Sequence, residues 1–399
     1  MERSIQDPYD SGMNRALLQL VSLTLALSAC NLTPDYSREL ADGVNPLIAL
    51  QPGEKLPDFS RQWEQRDEIL PALELSLDWT RREHARQFFP QAGITRARAI
   101  ASLERFREIL QETYGPVDFQ KALEREFTVY KSAGWDGRGG GVLFTGYCTP
   151  ILPGSLERSA EFRYPLYSLP PDLIKRKDGS VKGWSTAAGM MNLYPSRGAI
   201  EAGGLLENKG LELVWLRDPI DSYLAHVNGS AFIELGNGEM YRLGYAGKNG
   251  RPYTSLGKEL IADGVLPKDK ASLAGIREWA ASVPEAEMQE YLNRNQTYVF
   301  FTGIVGNPHG SLDVEVTAGR SVATDKTLFP RGALVFVTAK AGQRSDGAEM
   351  KRFYLDQDTG GAIRTAGRAD LYVGIGPEAE EIAGRTKTEG QMYYLFLKE

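Results

Sequence analysis

"QDTGGAIRTAGRADLYVGIGPEAEEIAG", residues 357–384, is the stretch on which the reading of this chain turns. Asp358 ends an apolar, strand-like run and is followed by Thr359, Gly360 and Gly361. Asp370 opens the next apolar run, "DLYVG". The unit therefore reads as strand, turn, strand. A lone Asp beside glycines is usually a turn residue, because its side chain bonds nearby backbone N–H groups. Two in one short unit point further, since glycines also let a bulky ligand approach the backbone. "GIGPEA" at 374–379 has no third glycine and no βαβ setting, so it is not a dinucleotide fingerprint.

The bulk of the sequence narrows the chemistry. The chain has 399 residues, enough for about two domains. Its net charge of −6 argues against phosphate-backbone binding, so no nucleic-acid partner is expected. The three histidines, His84, His226 and His309, and the two cysteines, Cys30 and Cys148, lack ligand spacing. No metal and no cofactor are expected. There is no G-x-S-x-G elbow and no phosphate loop. Carboxylates remain as the candidate chemistry.

The N-terminus carries a separate signal. "ALLQLVSLTLALSAC", Ala16–Cys30, is apolar but shorter than the roughly 20 residues a membrane span needs. Its end, "LSAC", resembles the lipobox of bacterial lipoproteins, which implies a signal peptide over 1–29 and lipidation at Cys30. Acyl chains contribute about 0.8 kcal/mol per buried CH₂, enough together to hold a protein at a membrane. Glu2, Asp7 and Asp10 suit a signal n-region poorly, so Met13 is the better start. Residues 30–60, rich in Pro and Asp, read as a lipidated tether.

Further along, "RARAIASLERFREILQE" places Ile100, Leu103, Phe106, Ile109 and Leu110 on one face, predicting a helix over 96–112. "SAFIELGNGEMYRLGYAG" predicts a hairpin turned at Gly236–Asn237–Gly238. Helices return around 265–295, where Ser282 and Glu285 have capping-box spacing. From 298 the chain is strand-like again. This order predicts a mainly β protein with α, an α+β fold in two domains.

Five blocks then carry a likeness. "FTGYCTP" at 144–150, "YAGKNGRPYTSLGKEL" at 245–260, "YVFF" at 298–301, "AGRSVATDKTLFPRGALV" at 318–335 and the stretch at 357–384 occur in order. Together they resemble the membrane-bound lytic murein transglycosylase A family over roughly 140–399. Asp325, Asp358 and Asp370 fall on the aspartates of its three-Asp domain.

The resemblance implies a double-psi β-barrel, with an inserted second β domain and a groove between them. The barrel would take 61–151, with its helical segment, plus 288–399, and the insert 152–287. The "FTGYCTP" block and the Asp358–Asp370 unit would face each other across that groove. The implied reaction cuts the β-1,4 bond between N-acetylmuramic acid and N-acetylglucosamine in peptidoglycan without water, leaving a 1,6-anhydro ring. By the same likeness Asp370 is the acid/base, with its pKa raised, and Asp358 and Asp221 support it. Thr145, Tyr147, Ser230, Lys248 and Asn249 are the implied substrate contacts, and Asp325 fixes a turn. Cys148 stands where the family has a second Tyr, and "HVNGSA" at 226–231 also departs from its pattern.

The implied partners are peptidoglycan glycan strands and, through Cys30, a membrane. Proteins of wall synthesis or division are further expected partners, without identity. Asn31 after the cysteine, in place of a retention Asp, favours the outer membrane, facing the periplasm. The rival readings are an ordinary glycoside hydrolase and a non-catalytic peptidoglycan-binding lipoprotein.

Overall fold

The computed structural model describes residues 33–176, 180–187, 189–191, 193–339 and 350–399. The signal segment and Cys30 lie outside the described residues. Tyr36–Glu399 forms one compact unit.

The first part of that unit is helical. Strand β1 (Leu47–Ala49) precedes helices α1 (Arg66–Arg81), α2 (Arg96–Glu112) and α3 (Pro116–Glu126). Helix α2 has the bounds its apolar spacing predicts. Thr95 caps it by accepting the Arg98 amide at 3.2 Å, and Leu103, Phe106, Ile109 and Leu110 are buried. The tether expectation fails from residue 36 onward. β1 is hydrogen-bonded to β2 (Phe127–Ser132), and Leu47 and Phe59 are buried in the core. Apolar anchors between the prolines outweigh the linker-like composition.

Next come β3 (Val142–Thr149) and β4 (Ile151–Ser155), separated by Pro150 alone. Then follow β5 (Tyr164–Tyr167), β6 (Leu173–Lys175), β7 (Val181–Thr186), β8 (Gly189–Met191) and β9 (Glu212–Leu216). Helix α4 (Arg197–Glu201) precedes β9 and α5 (Pro219–Asn228) follows it. β10 (Ala231–Leu235) and β11 (Met240–Lys248) form the predicted hairpin, with Gly238 at φ +82°. Helices α6 (Leu256–Ala262), α7 (Leu273–Ser282) and α8 (Glu285–Arg294) lead to β12 (Val299–Gly303). No capping box forms at α8. Pro284 is its N-cap, and the Ser282 hydroxyl donates back to the Trp279 carbonyl at 2.8 Å.

The chain ends with β13 (Ser321–Ala323), β14 (Leu334–Ala339), β15 (Met350–Asp358), β16 (Arg368–Ile375), α9 (Pro377–Arg385) and β17 (Lys387–Leu397). β17, β14, β15, β13, β16 and β3 follow one another by hydrogen bonding, and β3 pairs again with β17. The six strands thus close a ring. Two pairings in it are parallel, β13 with β15 and β16 with β3. This is the double-psi β-barrel, closed so that its ring leaves no free edge.

Alternation along β15 splits two cores. Tyr354 faces the barrel interior with Val335, Val337, Leu371 and Tyr394. Phe353 and Leu355 face the helices, with Phe59, Leu77, Phe106 and Phe119.

The inserted body is a second sheet of order β12-β11-β10-β4-β9-β5, with its own core of Leu152, Leu216, Ile233, Leu243 and Phe301. Strand pairing carries this sheet from Ile151 to Gly303, past the expected end at 287. The reason is β12, whose apolar run serves β11 rather than the barrel. We propose Pro150 and Ile304 as the crossover points.

Candidate active site

The parallel register of β16 with β3 sets Asp370 beside Thr145 and Tyr372 beside Tyr147. Residues two apart on a strand share a face. Asp370 and Tyr372 therefore stand with Thr145 and Tyr147, while Phe144, Ala369 and Leu371 turn into the barrel core. Two stretches expected to face each other across a groove are instead hydrogen-bonded neighbours in one sheet. β3 ends at Thr149 and the chain enters the inserted sheet at Ile151, so the first stretch does form the junction.

The Thr145 hydroxyl donates to Asp370 Oδ1 at 2.8 Å. Burial pushes the Asp370 carboxyl up to about 6, against the Thr145 hydrogen bond and the Arg368 charge; Asp358 adds to the rise. Asp358 is held differently. Its Oδ2 accepts the Tyr147 hydroxyl at 2.7 Å, and its Oδ1 accepts the amides of Ser311 and Thr359, each at 2.8 Å. Burial raises its pKa as well, opposed by those bonds and by the Lys326 charge. Tyr147 packs on Tyr372 with ring centroids 5.2 Å apart.

The inserted body reaches this cluster through Tyr253. A Cβ at Gly361 would lie 3.3 Å from the Tyr253 Cβ, so glycine there permits the close approach. Arg368 extends one guanidinium nitrogen to within 3.4 Å of the Thr145 hydroxyl oxygen. Arg368 and Tyr253 were not singled out as site residues from sequence. "RAD" offers a signal for Arg368, which lies two before Asp370 on a strand and so shares its face.

The remaining candidates scatter. Asp221, in the first turn of α5, pairs with Arg277, which also binds Glu380 at 3.0 Å. Its carboxylate is committed to that bridge and has no hydrogen bond to Asp370 or Asp358 among the described residues. Ser230 is buried, 3.1 Å from the Thr149 hydroxyl, which lies 3.1 Å from that of Tyr372. It backs the site from behind. Asn249 is fully buried, and its side chain serves four backbone groups: the carbonyls of Pro195 and Gln296 and the amides of Arg251 and Tyr298. It is a structural bracket with no polar atom left for a ligand. Lys248 is half-buried at the end of β11, and its ammonium has no ion-pair or hydrogen-bond partner among the described residues.

Asp325 does fix a turn: its Oδ1 accepts the Thr327 amide at 3.0 Å and its Oδ2 the Thr365 amide at 3.0 Å. Cys148 is buried and its thiol is pushed up to about 12 by burial. His226 is buried against Tyr298, accepts the Val299 amide at 3.3 Å, and is kept neutral by burial. Both departures from the family pattern are thus packing residues. Among the described residues no cluster of His, Cys, Asp or Glu is arranged to hold a metal. None of their helices is long and apolar enough to cross a membrane.

This arrangement gives Tyr147→Phe a defined consequence. Asp358 loses one of three donors, worth roughly 1.5–3 kcal/mol for a charged acceptor. Activity is expected to fall about tenfold, with the fold retained, as read by turnover and circular dichroism.

Two family models match the chain, the MltA specific insert domain over residues 143–302 and the 3D domain over 320–396. Along both domains the chain is similar to the membrane-bound lytic murein transglycosylase A family. A transglycosylase A of Vibrio cholerae is 33% identical over 264 residues, 65% of this chain and 66% of that protein. One of Escherichia coli K12 is 34% identical over 261 residues, 64% of this chain and 66% of its own length. The matched stretch thus falls just short of two thirds of these curated relatives. The crystal structure of a membrane-bound lytic murein transglycosylase from Agrobacterium tumefaciens has a TM-score of 0.73 at 27% identity, covering 88% of this chain and 97% of that one. E. coli MltA with bound chitohexaose has a TM-score of 0.66 at 26% identity, covering 92% and 100%.

Proposed function

We propose that this protein cleaves the β-1,4 bond between N-acetylmuramic acid and N-acetylglucosamine in peptidoglycan, with Asp370 as its single acid/base. The observation that carries the reading is the Asp370 carboxyl, raised to about 6 and held by Thr145, on the face it shares with Tyr147. Protonated Asp370 donates its proton to the departing glycosidic oxygen as the muramyl C1–O bond breaks. The resulting carboxylate then takes the proton of the muramyl C6 hydroxyl as that oxygen bonds to C1. Atoms balance without water, and the product is a 1,6-anhydro ring. An internal nucleophile gains effective molarity and needs no second carboxylate.

A hydrolase on the same bond needs two free carboxyl groups, one to protonate and one to activate water or attack. Asp358 has both oxygens engaged by Tyr147, Ser311 and Thr359, which favours the single-carboxylate route. Mass spectrometry of digested glycan strands tests the point. Anhydromuramyl ends support the proposal, reducing ends indicate a hydrolase, and binding without products indicates a non-catalytic lipoprotein.

The pH dependence follows from the raised carboxyl. A general acid must start protonated, so turnover is expected to fall as pH rises through about 6. A rate profile flat from pH 5 to 8, about one unit below to two above, would count against Asp370 as the acid. Attachment at Cys30 and an outer-membrane address complete the proposal. Cys30→Ala is expected to move the protein from the membrane to the soluble fraction, as read by fractionation.

A further inference from the structure

A sealed polar cluster lies inside the barrel next to the site. Lys326 and Asp356 are 6% and 0% exposed, and their ammonium and carboxylate are paired. The Thr324 hydroxyl donates to Asp356 Oδ2 at 2.8 Å, and the Tyr394 hydroxyl donates to the same oxygen at 2.7 Å. Lys326 also lies 3.1 Å from the Thr324 hydroxyl. A buried ion pair commonly adds little stability over an apolar replacement of the same shape. Folding alone is therefore a thin reason for its presence.

The cluster is wired to the site through Thr324. The Thr324 amide donates to the Asp358 carbonyl at 3.0 Å. The Thr359 hydroxyl donates to the Thr324 carbonyl at 2.8 Å. Thr324 is thus gripped by Asp356 and Lys326 on its side chain, and by Asp358 and Thr359 on its backbone. Beyond Asp358 stands Tyr147, on the strand that also supplies Thr145 to Asp370.

We propose that Lys326 and Asp356 form a positioning pair, which fixes Thr324 and with it the end of β15, so that Asp358 meets Tyr147 and the Asp370 strand keeps its register. The proposal rests on the reading of Asp370 as the acid/base.

The pair also sets the local charge. The groups facing Asp358 are Tyr147 from β3, Asp370 and Tyr372 from β16, Asp356 from its own strand, Lys326, and the amides of Ser311 and Thr359. Arg331 lies on the far side, against Lys326 and Asp356. Lys326 is the cation among Asp358's neighbours and favours its charged form. That charge in turn disfavours ionisation of Asp370. Without Lys326, Asp358 stays neutral to higher pH and Asp370 releases its proton at lower pH.

The test uses the full chain on purified peptidoglycan across the pH range of activity. Lys326→Met leaves Asp356 buried and unpaired and is expected to cripple folding. The informative variant is therefore Lys326→Met with Asp356→Asn, which removes both charges and keeps the shape. Its kcat is expected to fall about tenfold with KM within about twofold, and its alkaline limb to move toward acid by less than loss of Lys326 alone would give, because the Asp356 charge goes with it. Chitohexaose binding is expected to be unchanged. Lys326→Arg, which keeps the charge, is expected to recover most of the rate. The proposal is overturned by an unchanged rate and pH limb with only Tm altered. It is equally overturned if chitohexaose binding is lost in step with activity, because the pair would then merely hold the fold. Failure of the underlying reading shows elsewhere, as retained activity in Asp370→Asn, a variant that leaves the pair intact.

Discussion

Asp370→Asn is expected to lower turnover on peptidoglycan by about 10²–10⁴-fold, with the protein folded and still binding glycan. The amide matches the carboxyl in shape and can keep the hydrogen bond from Thr145, but it has no proton to give to a leaving oxygen. Stability should move the opposite way. The folded pKa of Asp370, about 6, lies above the ordinary carboxylate value of 3.8. Its contribution to stability is therefore complete below the ordinary value and is lost as pH rises through about 6. At neutral pH the wild type carries this cost and the Asn variant does not, so its Tm should be higher above pH 6 and converge with wild type near pH 4, about two units lower. A variant with full activity would move the acid elsewhere. One that is inactive and less stable at neutral pH would mean Asp370 is a structural anion.

Phe353→Ala is expected to destabilise the fold by about 3–5 kcal/mol. The Phe353 ring lies at the meeting point of the helical layer and the barrel. Its centroid is 4.8 Å from that of Phe336, 5.0 Å from Phe106 and 5.5 Å from Phe59. Removing it opens a void between β15 and helices α2 and α3, which the rigid sheet cannot close. The urea midpoint should fall with an unchanged m-value. Turnover per folded molecule should persist, because Phe353 packs in the helix-facing cluster, which holds none of the site residues. A loss below about 1 kcal/mol would mean the helices collapse onto the barrel.

What the sequence conveyed and what it withheld divide along physical lines. Helix α2 was legible because its apolar spacing is local. The β10–β11 turn was legible because Gly238 sits at positive φ, which few other residues tolerate. Barrel closure was reached only through family likeness, since the β16–β3 and β17–β3 pairings join residues far apart in sequence. Composition misled over 36–60, where a few buried side chains decide the outcome. Asn249 was misread because a buried bracket and a solvent-facing contact have the same letter. Asp370 and Thr145 stand together in the structure, but their contact as strand neighbours depends on register, which no local pattern records.

Cys148 sits on the strand that presents Thr145 and Tyr147, enclosed and with its sulfur kept in the unreactive thiol form. In an oxidising compartment that enclosure shields it from mixed adducts. It also makes the sulfur a built-in clock: a thiol-selective reagent can mark it only while this strand is lifted from the sheet. The rate of marking would then report how often the strand bearing Thr145 and Tyr147 comes away.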